Sequence, residues 1–214
     1  MKFSVIRPAG MLAVVLGLAS CGGGGDDYTV SGTVEGLEYA GLVLINNGVD
    51  VSVAPPAKPG DAVSFSFPNK LGYGDTYNVT VKIDPAHQTC LVHPNFSLSN
   101  ADTAGRLASI NARFLCAVNE FPIGGTVTGL TKDNTELTVT NGSTTGTLVI
   151  APSATDTTGA PFVYQLPFKV KYNQTYGVTI IKQPVGRVCT IENPTGTMGD
   201  AEVKNININC VPSA

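Results

Sequence analysis

Apolar and polar residues alternate through most of the chain beyond position 28. Tyr77, Val79, Val81 and Ile83 are interleaved with Thr76, Asn78, Thr80 and Lys82, and Val63, Phe65 and Phe67 with two serines. Later, Phe162, Tyr164, Leu166 and Phe168 alternate with Val163, Gln165 and Pro167, and a neighbouring run carries Tyr176, Val178 and Ile180. A period of two sends successive side chains to opposite faces of an extended backbone, so each run predicts a strand with one buried and one wet face. No stretch after Cys21 carries the period of an amphipathic helix. Turn formers interrupt the pattern at Asn46-Asn47-Gly48, Pro55-Pro56, Pro59-Gly60, Gly72-Tyr73-Gly74, Asn141-Gly142 and Thr158-Gly159, which keeps every strand short.

The pattern occurs twice. Gly32-Thr-Val-Glu-Gly-Leu37 returns as Gly125-Thr-Val-Thr-Gly-Leu130, and further matches follow in the same order. Asn47-Gly48 reappears as Asn141-Gly142, Val63, Phe65, Phe67 and Pro68 as Phe162, Tyr164, Leu166 and Pro167, and Thr76-Tyr77-x-Val79-Thr80 as Thr175-Tyr176-x-Val178-Thr179. Pro85 and Cys90 match Pro184 and Cys189, and each copy closes on a second cysteine, Cys116 or Cys210. With about seven short strands per copy, the expected fold is all-β: two tandem seven-stranded antiparallel β-sandwich domains, spanning residues 28–117 and 118–214. The short link Ala117-Val-Asn-Glu120 predicts end-to-end packing of the two.

The motif order, from G-T-V-x-G-L through an aromatic strand and Y-x-V-T to P-x-x-Q/R-x-C and a terminal cysteine, resembles a repeat of bacterial exported and surface lipoproteins. More distantly it resembles the transthyretin-like, carboxypeptidase-regulatory type of Ig-like sandwich. The resemblance covers nearly all of residues 28–211. It implies strands and turns, and no single activity.

The N-terminus adds a location. Lys2 and Arg7 precede an apolar run from Met11 to Ala19 that ends in Ser20-Cys21, the layout of a signal peptide. A helix of that length spans roughly 15 Å, about half a hydrocarbon layer, and no later run is apolar enough to span. Leu18-Ala19-Ser20-Cys21 resembles a lipobox. That resemblance implies cleavage after Ser20, with residues 1–20 removed, and lipidation of Cys21 by several acyl chains, palmitate among them, which together make a stable anchor. Gly22 in place of Asp after the cysteine points, by the bacterial sorting pattern, to the cell outer membrane; surface-exposed and periplasm-facing orientations both stay open. Residues 21–27, a run of glycines closed by Asp26 and Asp27, predict a flexible tether.

Residues 1–20 hold two cations and no anion, so the rest of the chain carries 11 Lys and Arg against 16 Asp and Glu, a formal net charge of −5. Without a basic cluster, a nucleic-acid partner is not expected. Four cysteines remain after Cys21, in a chain bound for an oxidising compartment. By strand parity Cys90 shares a face with Val92, Cys116 with Ile110, Ala112 and Phe114, Cys189 with Ile191, and Cys210 with Ile206 and Ile208, so all four point inward. Pairing within each copy, Cys90 to Cys116 and Cys189 to Cys210, is the expectation, each bridge stabilising by roughly 3 kcal/mol; pairing across the copies is the alternative.

Sites of chemistry are sparse. His87-x-x-Cys90-x-x-His93 offers three metal-ligand types, but positions three apart on a strand face opposite ways. The only two histidines stand in no nucleophile context, and the acids, among them Asp50, Asp61, Asp75, Asp84, Asp102, Asp133, Asp156 and Asp200, fall largely in turns, where Asp binds backbone amides. The Asp133-Asn134 turn lacks the spacing of a calcium loop. The chain has no Trp; Tyr28, Tyr39, Tyr73 and Tyr172 are the tyrosines left for a carbohydrate platform, and the matched places of Tyr73 and Tyr172 suggest a shared corner-packing role instead. No cofactor, metal or catalytic residue is expected. The expected function is that of a non-enzymatic outer-membrane lipoprotein, held to the membrane by its lipid and acting as a structural or adhesive interaction module. The alternative is a periplasm-facing binding protein for a cell-envelope glycan or small ligand.

Overall fold

A computed structural model of the chain describes residues 27–142 and 146–214. The signal, Cys21 and all of the tether except Asp27 lie outside the described residues. Within them the protein is built from β-strands and contains no α-helix. The first half runs through β1 (Tyr28–Glu35), β2 (Leu42–Asn46), β3 (Val49–Val53), β4 (Val63–Leu71), β5 (Thr76–Ile83), β6 (Gln88–Val92), β7 (Ala101–Thr103) and β8 (Ile110–Val118). The second half runs through β9 (Glu120–Phe121), β10 (Gly124–Thr128), β11 (Leu137–Asn141), β12 (Thr147–Ile150), β13 (Phe162–Gln165), β14 (Val170–Lys171), β15 (Thr175–Lys182), β16 (Arg187–Ile191), β17 (Thr195–Thr197) and β18 (Ile208–Pro212).

Each half places two four-stranded sheets face to face. Their orders are β4-β1-β8-β6 and β3-β2-β5-β7 in the first half, β13-β10-β18-β16 and β12-β11-β15-β17 in the second, with β9 and β14 forming a separate ribbon. That makes eight sandwich strands per half where the alternation predicts seven; the three-residue β7 and β17, which line the edges of β5 and β15, are too short to show a period of two. The pairing is not wholly antiparallel either. The first and last strands of each sandwich, β1 with β8 and β10 with β18, run parallel.

Buried apolar residues form two clusters, one per half. Val30, Val34, Phe65, Phe67, Tyr77, Val79, Ala112 and Phe114 belong to the first, and Val127, Leu137, Val139, Tyr164, Val178, Ile206 and Ile208 to the second. Each large side chain removed from water contributes about 1.5–3 kcal/mol. Two expected core positions are exposed. Ile83 lies beyond a bulge that places Lys82 between the partners of Val43 and Leu44, and it emerges 53 % exposed. Phe168 is 51 % exposed because β13 ends at Gln165, before Pro167, and its ring lies over Gly146 instead.

One repeat match also moves by a residue. Asn141 pairs with Val178 as Asn46 pairs with Val79, so Asn141 is the counterpart of Asn46 and not of Asn47. Both are buried, and their side-chain oxygens accept the amides of Asn78 (3.0 Å) and Gly177 (2.9 Å). In the first half Asn47 and Gly48, both left-handed (φ 47° and 82°), then close a two-residue hairpin. In the second half the connection from Asn141 to Thr147 is longer.

The repeated G-T-V-x-G-L motif is explained by the parallel strand pair. A Cβ on Gly32 would lie 1.9 Å from the carbonyl oxygen of Ala112, and one on Gly125 2.1 Å from that of Ile206. The second glycines of the motif, Gly36 and Gly129, are left-handed and stand equally close to the carbonyls of Cys116 and Cys210. Gly125→Ala therefore forces the backbone of the second half apart and destabilises it by about 2 kcal/mol or more, whereas Gly199→Ala, with nothing within 4 Å of its Cβ, stays within about 0.5 kcal/mol of the parent. Urea unfolding of the two variants tests the contrast.

Tyr164 is 6 % exposed and donates its hydroxyl to the carbonyl of Ile206 at 2.8 Å. Burial pushes its phenol well above the ordinary value of 10.0; burial, and then the Asp102 carboxylate, also raise Tyr77. A raised phenol favours folding fully below the ordinary value and ceases to do so as pH climbs through the folded-state value. The second half is thus expected to lose roughly 1 kcal/mol of stability per pH unit above about 10. Tyr164→Phe should weaken that dependence while costing about 1 kcal/mol at neutral pH; urea midpoints from about pH 8 to about pH 11, on either side of the ordinary tyrosine value, measure both.

Candidate functional site at the joint between the halves

The densest polar and aromatic arrangement outside the two cores is where β8 passes into β9. Asn119, the single residue between those strands, donates its amide to the carbonyl of His87 (2.8 Å) and accepts the amide of Tyr172 (2.8 Å). Its side-chain oxygen accepts the Thr89 hydroxyl at 2.8 Å. One residue thereby ties a loop of the first half to a turn of the second. Beside it, Phe121 pairs with Val170 and Glu120 with Lys171, and Asn173 donates its amide to Met198 (2.9 Å), holding the turn against the loop that carries Asp200.

On this frame His87 crosses the joint. Its ring stacks on Tyr172 with centroids 3.7 Å apart and planes within 4°, and Tyr39 meets both rings edge-on at 5.2 and 5.7 Å. The Nδ1 atom of His87 lies 2.8 Å from both carboxylate oxygens of Asp200. A carboxylate only accepts, so Nδ1 carries a proton. Tyr39 is set in place by Gln88, which is buried; its Oε1 accepts the amides of Glu38 (2.8 Å) and Tyr39 (2.9 Å), and its Nε2 donates to the carbonyl of Gly36 (2.7 Å).

The backbone shows how specific this arrangement is. His87 has φ 59°, and the equivalent position in the second copy is Gly186 with φ 72°. A side chain in that left-handed conformation costs roughly 1–2 kcal/mol, so histidine stands at 87 against the local backbone preference, where the aromatic stack and Asp200 offset the strain. Next to the joint, Glu38, Tyr39, Val118 and the turn from Lys171 to Gln174 border an open depression of about 290 Å³.

The sequence candidates are placed as follows. Cys90 is bonded to Cys116 and Cys189 to Cys210, with Cα atoms 4.0 Å apart in both pairs and all four residues at most 5 % exposed. Each bridge joins directly opposed residues of neighbouring strands in one sheet. The amides of Cys90 and Cys189 are held by equivalent side chains, Asp84 (2.8 Å) and Gln183 (2.8 Å). The motif His87-x-x-Cys90-x-x-His93 is dispersed: Cys90 is in a disulfide and His87 in the joint. The Nδ1 of His93 accepts the amide of Asn95 (3.2 Å), and its ring packs on Phe96, over which Arg113 lies at 4.1 Å.

Asn134 bonds Thr131 and the carbonyl of Val185. Tyr73 and Tyr172 do not share a role: Tyr73 is 76 % exposed with its ring over Gly105, while Tyr172 belongs to the joint. In the sequence Asn119 stood only as part of the link between the copies and Asp200 only as a turn acid. The one signal was the departure between copies at His87 and Gly186.

No protein-family profile and no curated protein matches the sequence. Among solved structures, the Bacillus anthracis TIE protein is similar over 86 % of this chain and 34 % of its own, at 17 % identity and a TM-score of 0.41. The chain thus spans about a third of the length of that protein.

Replacing His87 by Ala removes the stack and the Asp200 contact together. Both groups are partly exposed, so the expected loss is modest, about 1–2 kcal/mol. It should be accompanied by faster proteolysis of the link between Val118 and Phe121, while Leu98→Ala, at a residue 86 % exposed, changes neither.

Proposed function

We propose that the chain is a non-enzymatic, lipid-anchored protein of the bacterial outer membrane in which two tandem β-sandwich domains form a structural or adhesive interaction module. The observation that carries this reading is the combination of Leu18-Ala19-Ser20-Cys21 with four further cysteines that all form disulfides within an all-β chain. Disulfides persist in oxidising compartments, which suits export, and the lipobox supplies the attachment. Both histidines are engaged in packing, His87 with Tyr172 and Asp200 and His93 with Asn95 and Phe96, which supports a structural rather than a proton-transferring role.

A second reading, a periplasm-facing binder of an envelope glycan or small ligand, is favoured by the depression beside Tyr39 and Tyr172. Those two rings pack on His87 and on each other, which leaves less aromatic surface for a sugar and ranks this reading below the first.

Intact mass spectrometry of the native membrane fraction tests the proposal. The expected product begins at Cys21, carries a triacyl group, and exposes four alkylatable thiols only after reduction. An unmodified N-terminus would overturn the anchor. Removal by protease applied to whole cells would favour the surface module, and resistance with lipidation intact would favour the periplasmic binder.

A further inference from the structure

Force applied along the chain enters each half at the start of its first strand and leaves at the end of its last. In the first half these strands are β1 and β8, which pair in parallel over six consecutive positions, from Val30 with Ile110 to Glu35 with Leu115. Pulling parallel strands from opposite ends slides them along each other and strains all their hydrogen bonds together; pulling antiparallel ones would open the bonds one at a time. Side chains add to the contact: Ser31 donates to the carbonyl of Ile110 (2.9 Å), and Arg113 reaches Glu35 (3.3 Å). Cys116, next along β8, is bonded to Cys90 of β6, so the strand that takes the force is braced covalently to the edge strand beside it in the same sheet.

The second half has the same layout with a shorter contact. β10 and β18 pair only at Val127 with Ile208 and Thr128 with Asn209. Upstream, an isolated bridge of Ile123 with Val203 and the bond from Thr126 to the Asn207 side chain (3.1 Å) continue the parallel contact without a regular ladder.

We infer that the chain resists mechanical extension, with the β1–β8 pair acting as a shear clamp that makes the first half the stronger element and the second half the one that yields first. The clamp shields β2 to β7 from the pull, and after it parts the Cys90–Cys116 bridge limits how much chain is released. The source of the load, attachment at one end and binding at the other, rests on the proposed function; the clamp itself does not.

Single-molecule force spectroscopy of the full chain, carrying Cys21→Ser and held by its two ends, tests this. Two rupture events are expected. Reduction lengthens each by the residues its disulfide encloses, sequence separations of 26 and 21, or ~90 and ~70 Å of extended chain, which identifies the half behind each event. The event assigned to the first half should come at the higher force. It should weaken at least twofold when the grip is moved from the N-terminus to Asn47, in the turn between β2 and β3, which takes β1 out of the force path. Rupture of the first half before the second, or an unchanged force with the grip at Asn47, would overturn the clamp. Lipidation at Cys21, read separately by mass, decides only whether the cell supplies the load.

Discussion

In each half, a glycine of the first strand stands where a carbonyl leaves no space for a Cβ: Gly32 against Ala112 of the last strand, and Gly125 against Ile206, just ahead of the last strand. The rest of the architecture follows from that approach. With the last strand lodged at the centre of its sheet, between the first strand and the edge strand β6 or β16, its inward residues, Ala112 and Phe114 in β8 and Ile208 in β18, are buried, as is Ile206 just ahead of β18. The cysteine that follows then falls directly opposite its partner on the edge strand. The disulfide therefore fastens an edge to the centre of the same sheet, and does not bridge the two sheets.

Much of this could be read from residues alone. Period-two alternation placed Phe65, Phe67, Tyr77 and Val79 in the core, and parity alone turned four cysteines inward, because both arguments depend only on neighbours in an extended chain. Errors arose where a local irregularity resets the phase. The bulge at Lys82 turned Ile83 out, Pro167 ended a strand before Phe168, and the loop after Asn141 shifted an Asn-Gly match by one residue. The parallel terminal pair was visible only indirectly, as two glycines whose necessity depends on a strand some eighty positions away, the separation of Ser31 and Ile110 being 79.

The joint was the least legible feature because it arises from contacts between copies, which a comparison of the copies with each other cannot show. His87 and Asp200 are 113 positions apart. What the repeat did contain was an inequality: one copy has glycine where the backbone is left-handed and the other has histidine. Once the fold is known, that single departure marks the surface on which one copy meets its neighbour, and Asn119 shows how little chain is needed to hold the two together when both its backbone groups are used.

The parallel closure also dictates an order of events. A chain that emerges from its N-terminus presents β1 first, but the sheet position beside β1 is filled by β8, whose residues are the last of that half to appear. Closing a loop of that length comes before any reward from the contacts it brings, a condition that slows folding. The first cysteine of each pair likewise waits for a partner in the final strand. In each half the last strand lies between the first strand and an edge strand and carries the second cysteine, so neither the central ladder nor the disulfide can be complete before that strand is in place.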